Sequence, residues 1–165
     1  MKLLLFILLI FLCACTQMEE DPFVLPDNAT ALLAGANNKS WKLARRYNGK
    51  NRMNMGDCFL SYRQTFQTNF RVHDNSGDFP DCGPTLHAQW KWVQAENGHP
   101  YLKLSSPQIS ELMNIDVDYK FFKVLHLSEE ELVLQYLHQQ YAQKRMITDI
   151  LVPEGIEVED RNFHW

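Results

Sequence analysis

Residues 86–92, LHAQWKW, alternate strictly between apolar and polar side chains. In an extended chain the apolar set faces one way: Leu86, Ala88, Trp90 and Trp92. The polar set faces the other way: His87, Gln89 and Lys91. Because successive side chains of a strand point to opposite faces, this period predicts a strand with one buried face and one face in solvent.

The same period recurs in short runs from Ser40 onward, separated by Gly, Asn, Asp and Pro. Eight strands are predicted in all, and the other seven cover 41–47, 58–66, 70–72, 102–104, 118–127, 131–138 and 145–152. Thr68 and Asn69 predict a tight hairpin turn. Links this short favour an all-β, antiparallel, up-and-down meander closing into an eight-stranded barrel over an α/β fold, which needs long helices between strands.

Two strand faces and two helical segments follow from the spacing. The first strand is expected to place Trp41, Leu43 and Arg45 on one face. The second is expected to place on one face Cys58, Leu60, Tyr62, Gln64 and Phe66. An apolar run at 29–34 predicts a short helix that is capped by Asp27 or Asn28 and ends at Gly35. After Pro107, the spacing of Ile109, Leu112 and Met113 predicts a helical turn that is a candidate lid or plug over one end.

Length and charge limit the possible functions. The chain has 165 residues, which is enough for one packed domain and short for two. Sixteen Lys and Arg against twenty Asp and Glu give a net charge of -4. Because nucleic-acid binding needs a concentration of positive charge, no nucleic-acid partner is expected.

The N-terminus carries the pattern of an export signal. Lys2 precedes an uncharged apolar run at 3–12, which is shorter than the roughly 20 residues of a membrane-spanning helix. The following residues, Leu12, Cys13, Ala14 and Cys15, resemble the bacterial lipobox. The resemblance implies that residues 1–14 are a cleaved lipoprotein signal peptide and that Cys15 becomes lipidated. The alternative is a plain secreted protein cleaved near Ala14.

Lipidation would make the membrane a partner of this protein. Two or three acyl chains hold a soluble domain on a bilayer almost irreversibly. Residues 15–27 are then a tether, 28–153 the barrel and 154–165 a C-terminal tail. The expected localisation is lipid-anchored at the outer membrane. The acidic residues Glu19, Glu20 and Asp21 resemble a surface-export signal, and both a periplasmic and a cell-surface orientation stay open.

Two cysteines remain in the domain, Cys58 and Cys82. An even number in an oxidising compartment favours a disulfide. A metal site is the weaker alternative because no second ligand pair has suitable spacing, and a catalytic thiol is weaker still.

A further resemblance rests on several segments together. They are the short helix, 39–43 (KSWKL), 66–70 (FQTNF), Trp90, 119–125 (YKFFKVL) and 132–134 (LVL). Over about residues 28–152 they resemble the lipocalin-like domains of bacterial lipoproteins. The resemblance implies a lipocalin-like barrel.

An eight-stranded barrel either fills with side chains or holds one small ligand. The candidate lining residues of such a cavity are Tyr62, Phe66, Trp90, Trp92, Leu134 and Tyr136. They would suit an apolar or sugar-like ring, and the competing interpretation is that they form a filled core. A small apolar ligand or an outer-membrane protein partner is expected, and the alternative is an accessory subunit of an outer-membrane complex.

No catalytic activity, cofactor or metal is expected. The six histidines are scattered along the chain and form no metalloprotease helix. Paired carboxylates such as Asp116 and Asp118 stand in turns, where acidic residues are usually solvated. The tail ends in Phe163, His164 and Trp165, and the choices are a disordered tail or a segment that docks on a partner or over the barrel mouth.

Overall fold

The fold is a single antiparallel sheet rolled into a barrel. The computed structural model describes residues 21–140 and 143–162. Its strands are β1 (Asn38–Asn48), β2 (Asn51–Arg52), β3 (Arg63–Gln67), β4 (Arg71–Asp74), β5 (His87–Gln94), β6 (Pro100–Ser105), β7 (Tyr119–Leu127), β8 (Leu132–Gln140) and β9 (Gln143–Pro153). Its helices are α1 (Ala29–Ala34), α2 (Asp57–Ser61) and α3 (Gln108–Met113).

Strand order shows how the barrel closes. From β3 to β9 each strand pairs with the next along the chain, and β1 pairs with both β3 and β9. The two-residue strand β2 only folds back on the end of β1. Eight strands therefore form the closed wall, and the predicted all-β, eight-stranded antiparallel up-and-down barrel with a short N-terminal helix is confirmed.

Strand β5 has the burial that its alternating sequence predicts. Leu86, Ala88 and Trp90 are buried, whereas the alternate polar residues His87, Gln89 and Lys91 are exposed. The buried faces of the other strands meet these side chains in one core. Its largest fully buried members are Trp41, Phe66, Trp90, Leu33, Leu43 and Met55.

Helix α1 closes one end of the barrel. Leu33 is completely buried, and the indole Nε1 of Trp41 donates a 2.8 Å hydrogen bond to its carbonyl. The Lys39 ammonium donates to the carbonyl of Leu32 at 3.0 Å and lies 4.0 Å above the Trp41 ring. These bonds satisfy carbonyls that the end of a helix leaves without partners. The helix ends at Gly35, as predicted, with a positive φ of 63°.

The prediction of a long second strand was wrong at its start. Cys58 and Leu60 lie in helix α2, and only Gln64 and Phe66 of the predicted face lie on β3. The helix begins at Asp57, where the backbone N–H groups of Phe59 and Leu60 both bond to the carbonyl of Gly56. Five residues are too few for a period of two to be distinguished from a single helical turn.

A bulge changes the side of β1 on which its arginines lie. The register between β1 and β9 shifts between Leu43 and Arg45. Because one extra residue reverses the alternation, Arg46 and not Arg45 continues the inner face of Trp41 and Leu43. The prediction that Arg45 shares a face with Trp41 and Leu43 was therefore wrong.

The disulfide prediction is confirmed. Cys58 and Cys82 are bonded, with their Cα atoms 5.3 Å apart. The bond joins α2 to the long connection between β4 and β5. Both segments lie at the end of the barrel opposite α1, since β3 starts and β4 ends there.

The segment after β9 packs back on the barrel. The Arg161 guanidinium donates to the carbonyl of Leu43, at the bulge, at 2.6 Å and to that of Phe59 at 3.3 Å. Phe163, His164 and Trp165 lie outside the described residues, as do the predicted signal peptide, Cys15 and the predicted tether up to residue 20. Among the helices of the described residues, none is long and apolar enough to cross a membrane.

Candidate functional site

Four of the six predicted cavity residues belong to the packed core. Phe66, Trp90 and Leu134 are at most 4% exposed, and Trp92 packs against the same cluster. The rings of Phe66 and Trp90 meet edge to face with centroids 6.0 Å apart, and those of Trp90 and Trp92 lie 5.7 Å apart. These side chains therefore fill space between one another.

The polar atoms of the two indoles have partners within the protein. Trp90 donates from Nε1 to the carbonyl of Gln67 at 3.2 Å. Trp92 donates from Nε1 to the hydroxyl of Thr30, on α1, at 3.3 Å. A ligand between these rings would have to displace both hydrogen bonds and part of the core.

The other two predicted residues, Tyr62 and Tyr136, belong to a polar cluster with Arg46 and Asp149. Arg46 bonds Asp149 twice, from Nε to Oδ1 at 2.6 Å and from Nη2 to Oδ2 at 2.7 Å. The Tyr136 hydroxyl lies 3.1 Å from Arg46 Nη2 and 3.2 Å from Asp149 Oδ2. Three side chains thus satisfy one another within the barrel wall.

Burial and charge shift the pKa values of this cluster. Burial alone would lower the pKa of Arg46, but its hydrogen bond to Asp149 and that carboxylate's charge raise it above the usual value. Burial raises the pKa of Tyr136, and the Asp149 charge raises it further while Arg46 opposes the change. Burial also raises the pKa of Tyr62, together with the negative charges of Asp74 and Asp149. Both phenols therefore stay protonated at physiological pH.

Helix α2 covers this cluster from the end of the barrel. The Phe59 ring lies 4.3 Å from the guanidinium carbon of Arg46. The ion pair with Asp149 uses the edge of the guanidinium, and the Phe59 ring covers its face. Arg46 therefore stabilises the fold and is not available to bind a ligand.

An open cleft of about 690 Å³ lies on the outside of the barrel. Its lining residues are Gln67, Arg71, Val72, His73, His87, Ala88, Gln89, Ser105, Ser106, Pro107 and Asp118. Along β4 and β5, Arg71, His73, His87 and Gln89 alternate with the buried Val72 and Ala88. That alternation places the polar side chains on the outer surface.

The cleft forms where two strands separate. Pairing of β5 with β6 ends at Gln89 and Ser105, and the chain then turns into α3. The N–H of His87 is bonded instead by the side chain of Gln108, whose amide donates to the carbonyl of Thr85. This link holds the start of α3 beside β5 as one wall of the cleft.

Basic side chains converge on this surface. His73 and His87 are paired across β4 and β5, with their rings stacked at a centroid distance of 6.0 Å and an interplanar angle of 27°. Arg71 is exposed on the same strand, and its guanidinium has no partner among the described residues. Asp118 is the carboxylate of the lining. Nowhere in the described residues do three or more His, Cys, Asp or Glu side chains gather as a metal site would require.

The sequence did not predict this cleft. His87 was expected to face solvent, which the structure confirms, but its contact with His73 depends on the register between two strands. The sequence did indicate that each histidine lies on the polar face of an alternating strand. Thirteen residues separate the two histidines in the sequence, including the loop with Cys82, so the sequence alone does not show that they are close.

Comparisons with known proteins give only an overall likeness. The sequence matches no protein-family profile and no curated protein. A lipocalin-like protein from Bacteroides uniformis matches at 14% identity with a TM-score of 0.46, over 73% of this chain and 97% of that one. An uncharacterized protein from Bacteroides eggerthii matches at 10% identity with a TM-score of 0.42, over 70% of this chain and 97% of that one.

Proposed function

We propose that this protein is a non-catalytic, lipid-anchored lipoprotein of the outer membrane that binds a small anionic molecule in the cleft outside its barrel. The observation that carries the proposal is the convergence of Arg71, His73 and His87 on one open cleft of about 690 Å³. The proposed site differs from the predicted one, because the predicted aromatic residues pack against one another. The barrel then serves as a rigid scaffold.

The cleft lining suggests a ligand class. A guanidinium and two imidazoles supply N–H donors for carboxylate or phosphate oxygens. Ser105 adds a hydroxyl beside them, while Asp118 can accept a hydrogen bond from a ligand hydroxyl. We therefore favour a small molecule that carries both an acidic group and hydroxyl groups over a purely apolar one.

Lipid attachment at Cys15 is supported by the lipobox resemblance, and the second half of the predicted tether packs on the barrel. The Phe23 ring lies 5.9 Å from that of His126, and Leu25 packs against the core. The chain is thus fixed to the barrel from Phe23, eight residues after Cys15. Cys15→Ser should move the protein from the membrane to the soluble fraction and abolish labelling by fatty acid, whereas Cys13→Ser should do neither. Membrane retention of Cys15→Ser would contradict this part of the proposal.

A second candidate is an accessory subunit that contacts an outer-membrane protein. It is favoured by the packed interior and by apolar side chains in and after α3, where Leu112 is 37% and Val117 is 39% exposed. In this case the cleft would hold no ligand, and the exposed apolar residues would mediate assembly.

Native mass spectrometry of the gently extracted protein separates the two candidates. The binding proposal predicts a bound small molecule that Arg71→Gln removes and that Arg45→Gln, elsewhere on the barrel surface, retains. Retention in Arg71→Gln would overturn the assignment to the cleft. A wild-type protein without any small molecule but with a bound protein would favour the accessory subunit.

A further inference from the structure

The outer surface of three neighbouring strands combines lysines and aromatic rings. We call this surface the cationic aromatic face and define it as Lys91, Tyr101, Lys103, Tyr119, Phe121 and Lys123. Strand register brings its members together: Lys91 pairs with Lys103, Lys103 with Phe121, and Tyr101 with Lys123. These residues come from β5, β6 and β7, and their buried neighbours point into the barrel.

The charge of this face differs from that of the chain. The whole sequence has four more acidic than basic residues. Strands β5, β6 and β7 nevertheless contain no Asp or Glu, while Lys91, Lys103 and Lys123 all lie on their outer side. Positive charge is therefore concentrated on one side of an acidic protein, which favours an anionic partner for that side.

The aromatic rings of the face form a platform. Phe121 is 40% exposed, and its ring meets those of Tyr119 and Tyr101 edge to face at centroid distances of 5.4 and 6.1 Å. The Lys103 ammonium lies 4.2 Å from the centroid of Tyr119. Amphipathic rings beside lysines are the combination that proteins use at the headgroup level of a membrane.

The N-terminal chain leaves the barrel next to this face. A side-chain carbon added at Gly98, in the turn between β5 and β6, would lie 3.5 Å from the Pro22 ring. The six residues 15–20 connect Cys15 to the described chain, and six residues span at most about 20 Å. A lipid on Cys15 would therefore keep the end of β5 and β6 close to the bilayer.

We propose that the cationic aromatic face lies on the anionic phospholipid surface of the bilayer that holds the lipid anchor. The lysines contact lipid phosphates, and Tyr101, Tyr119 and Phe121 lie among the headgroups. This inference rests on the lipid attachment proposed above and adds a defined orientation to it. The ligand cleft begins at Ser105, at the other end of β6 from Gly98.

Partition of the full chain into vesicles tests the orientation. The readout is the ratio of binding to vesicles of phosphatidylglycerol and phosphatidylethanolamine over binding to phosphatidylcholine vesicles. The apolar N-terminal segment and any acyl chains contribute to binding on both kinds of vesicle, so their contribution largely cancels in the ratio. In the test variant Lys91, Lys103 and Lys123 become Gln. In a matched control, Lys42, Lys50 and Lys144, which lie on β1, the β1–β2 turn and β9, become Gln.

The face variant should lower the ratio on the order of a hundredfold, because each lysine near an anionic surface contributes about a factor of five. The matched control should change it less than threefold, and Phe121→Ser should lower anionic binding while circular dichroism stays native. Equal losses in both lysine variants, or no loss in the face variant, would overturn the proposed orientation. Failure of the Cys15→Ser release test would instead overturn the anchor, since all vesicle variants share one N-terminus.

Discussion

Arg46 and Asp149, which are 103 residues apart in the sequence, form a bidentate ion pair within the barrel wall, between β1 and β9. Their side chains are only 16% and 11% exposed. The pair lies where β1 meets β9, which is the seam that closes the barrel. A bulge in β1 places Arg46 on the inner face there, and the Phe59 ring covers the guanidinium from the end of the barrel.

Breaking this pair should destabilise the protein strongly. Asp149→Asn leaves a buried guanidinium without its counter-charge, and loss of one partner of a buried pair costs about 3–5 kcal/mol. Replacing both partners with apolar residues, as in Arg46→Met with Asp149→Leu, should restore much of the stability. Urea unfolding measures these differences. Arg45→Met, on the adjacent residue, is the matched control and should change stability by less than about 0.5 kcal/mol.

Alkaline pH should reveal the two buried phenols. The pKa of both Tyr62 and Tyr136 is raised in the folded state, mainly by burial. The unfolded chain therefore releases these protons at a pH where the native protein keeps them, and stability falls as pH rises above about 10. In a tyrosinate absorbance titration, two phenols should ionise only when the protein unfolds. Tyr136→Phe should remove one of them, and early ionisation of both in the folded protein would contradict the buried cluster.

The disulfide should stabilise the end of the barrel that α2 covers. Its cysteines are 24 residues apart, and the chain-entropy model gives a loop of this size about 3.5 kcal/mol. Cys58→Ser with Cys82→Ser should lower the free energy of unfolding by about 2–4 kcal/mol. Free-thiol labelling of the oxidised native protein should leave both cysteines unmodified. Two reactive thiols would contradict the bond.

The Arg161 side chain should tie the last described residues to the barrel. It bonds carbonyls of Leu43 and Phe59. Since a hydrogen bond from a charged donor contributes about 1.5–3 kcal/mol and Arg161 is partly exposed, Arg161→Ala should cost about 1 kcal/mol. Amide hydrogen exchange near residue 43 should increase in this variant. Unchanged exchange there would show that the tail does not hold the bulge.

Local alternation was enough to predict the barrel but not its polar details. Residues 86–92 predict their own strand because the alternation of apolar and polar residues is visible within that segment alone. The bulge at Ala44 cannot be predicted from alternation. It is a shift in pairing with β9, and no residue type in β1 marks it, yet it moves Arg46 to the inner face. Helix α2 was missed because Cys58, Leu60 and Tyr62 alternate over a segment as short as one helical turn. Lipidation of Cys15 concerns residues outside the described chain and stays a prediction.

The candidate site was predictable only in part. Sequence reasoning brought Phe66, Trp90 and Trp92 together correctly as an inner aromatic group. Whether such a group encloses a cavity depends on how the rings fit, and here they contact one another at centroid distances of 5.7 and 6.0 Å. The pairing of His73 with His87 depends on strand register across a loop. Alternation within one strand carries no information about that register.

The most direct test is to locate ligand binding on the outside or the inside of the barrel. Inorganic phosphate is titrated at constant pH into the full chain in detergent micelles, while NMR follows the imidazoles of His73 and His87 and the indoles of Trp90 and Trp92. If the ligand binds in the outer cleft, both imidazoles should show saturable shifts, the indoles should not move, and Arg71→Gln should lose the response. Shifts of the indoles without the imidazoles, or no response from either pair, would contradict binding in the cleft.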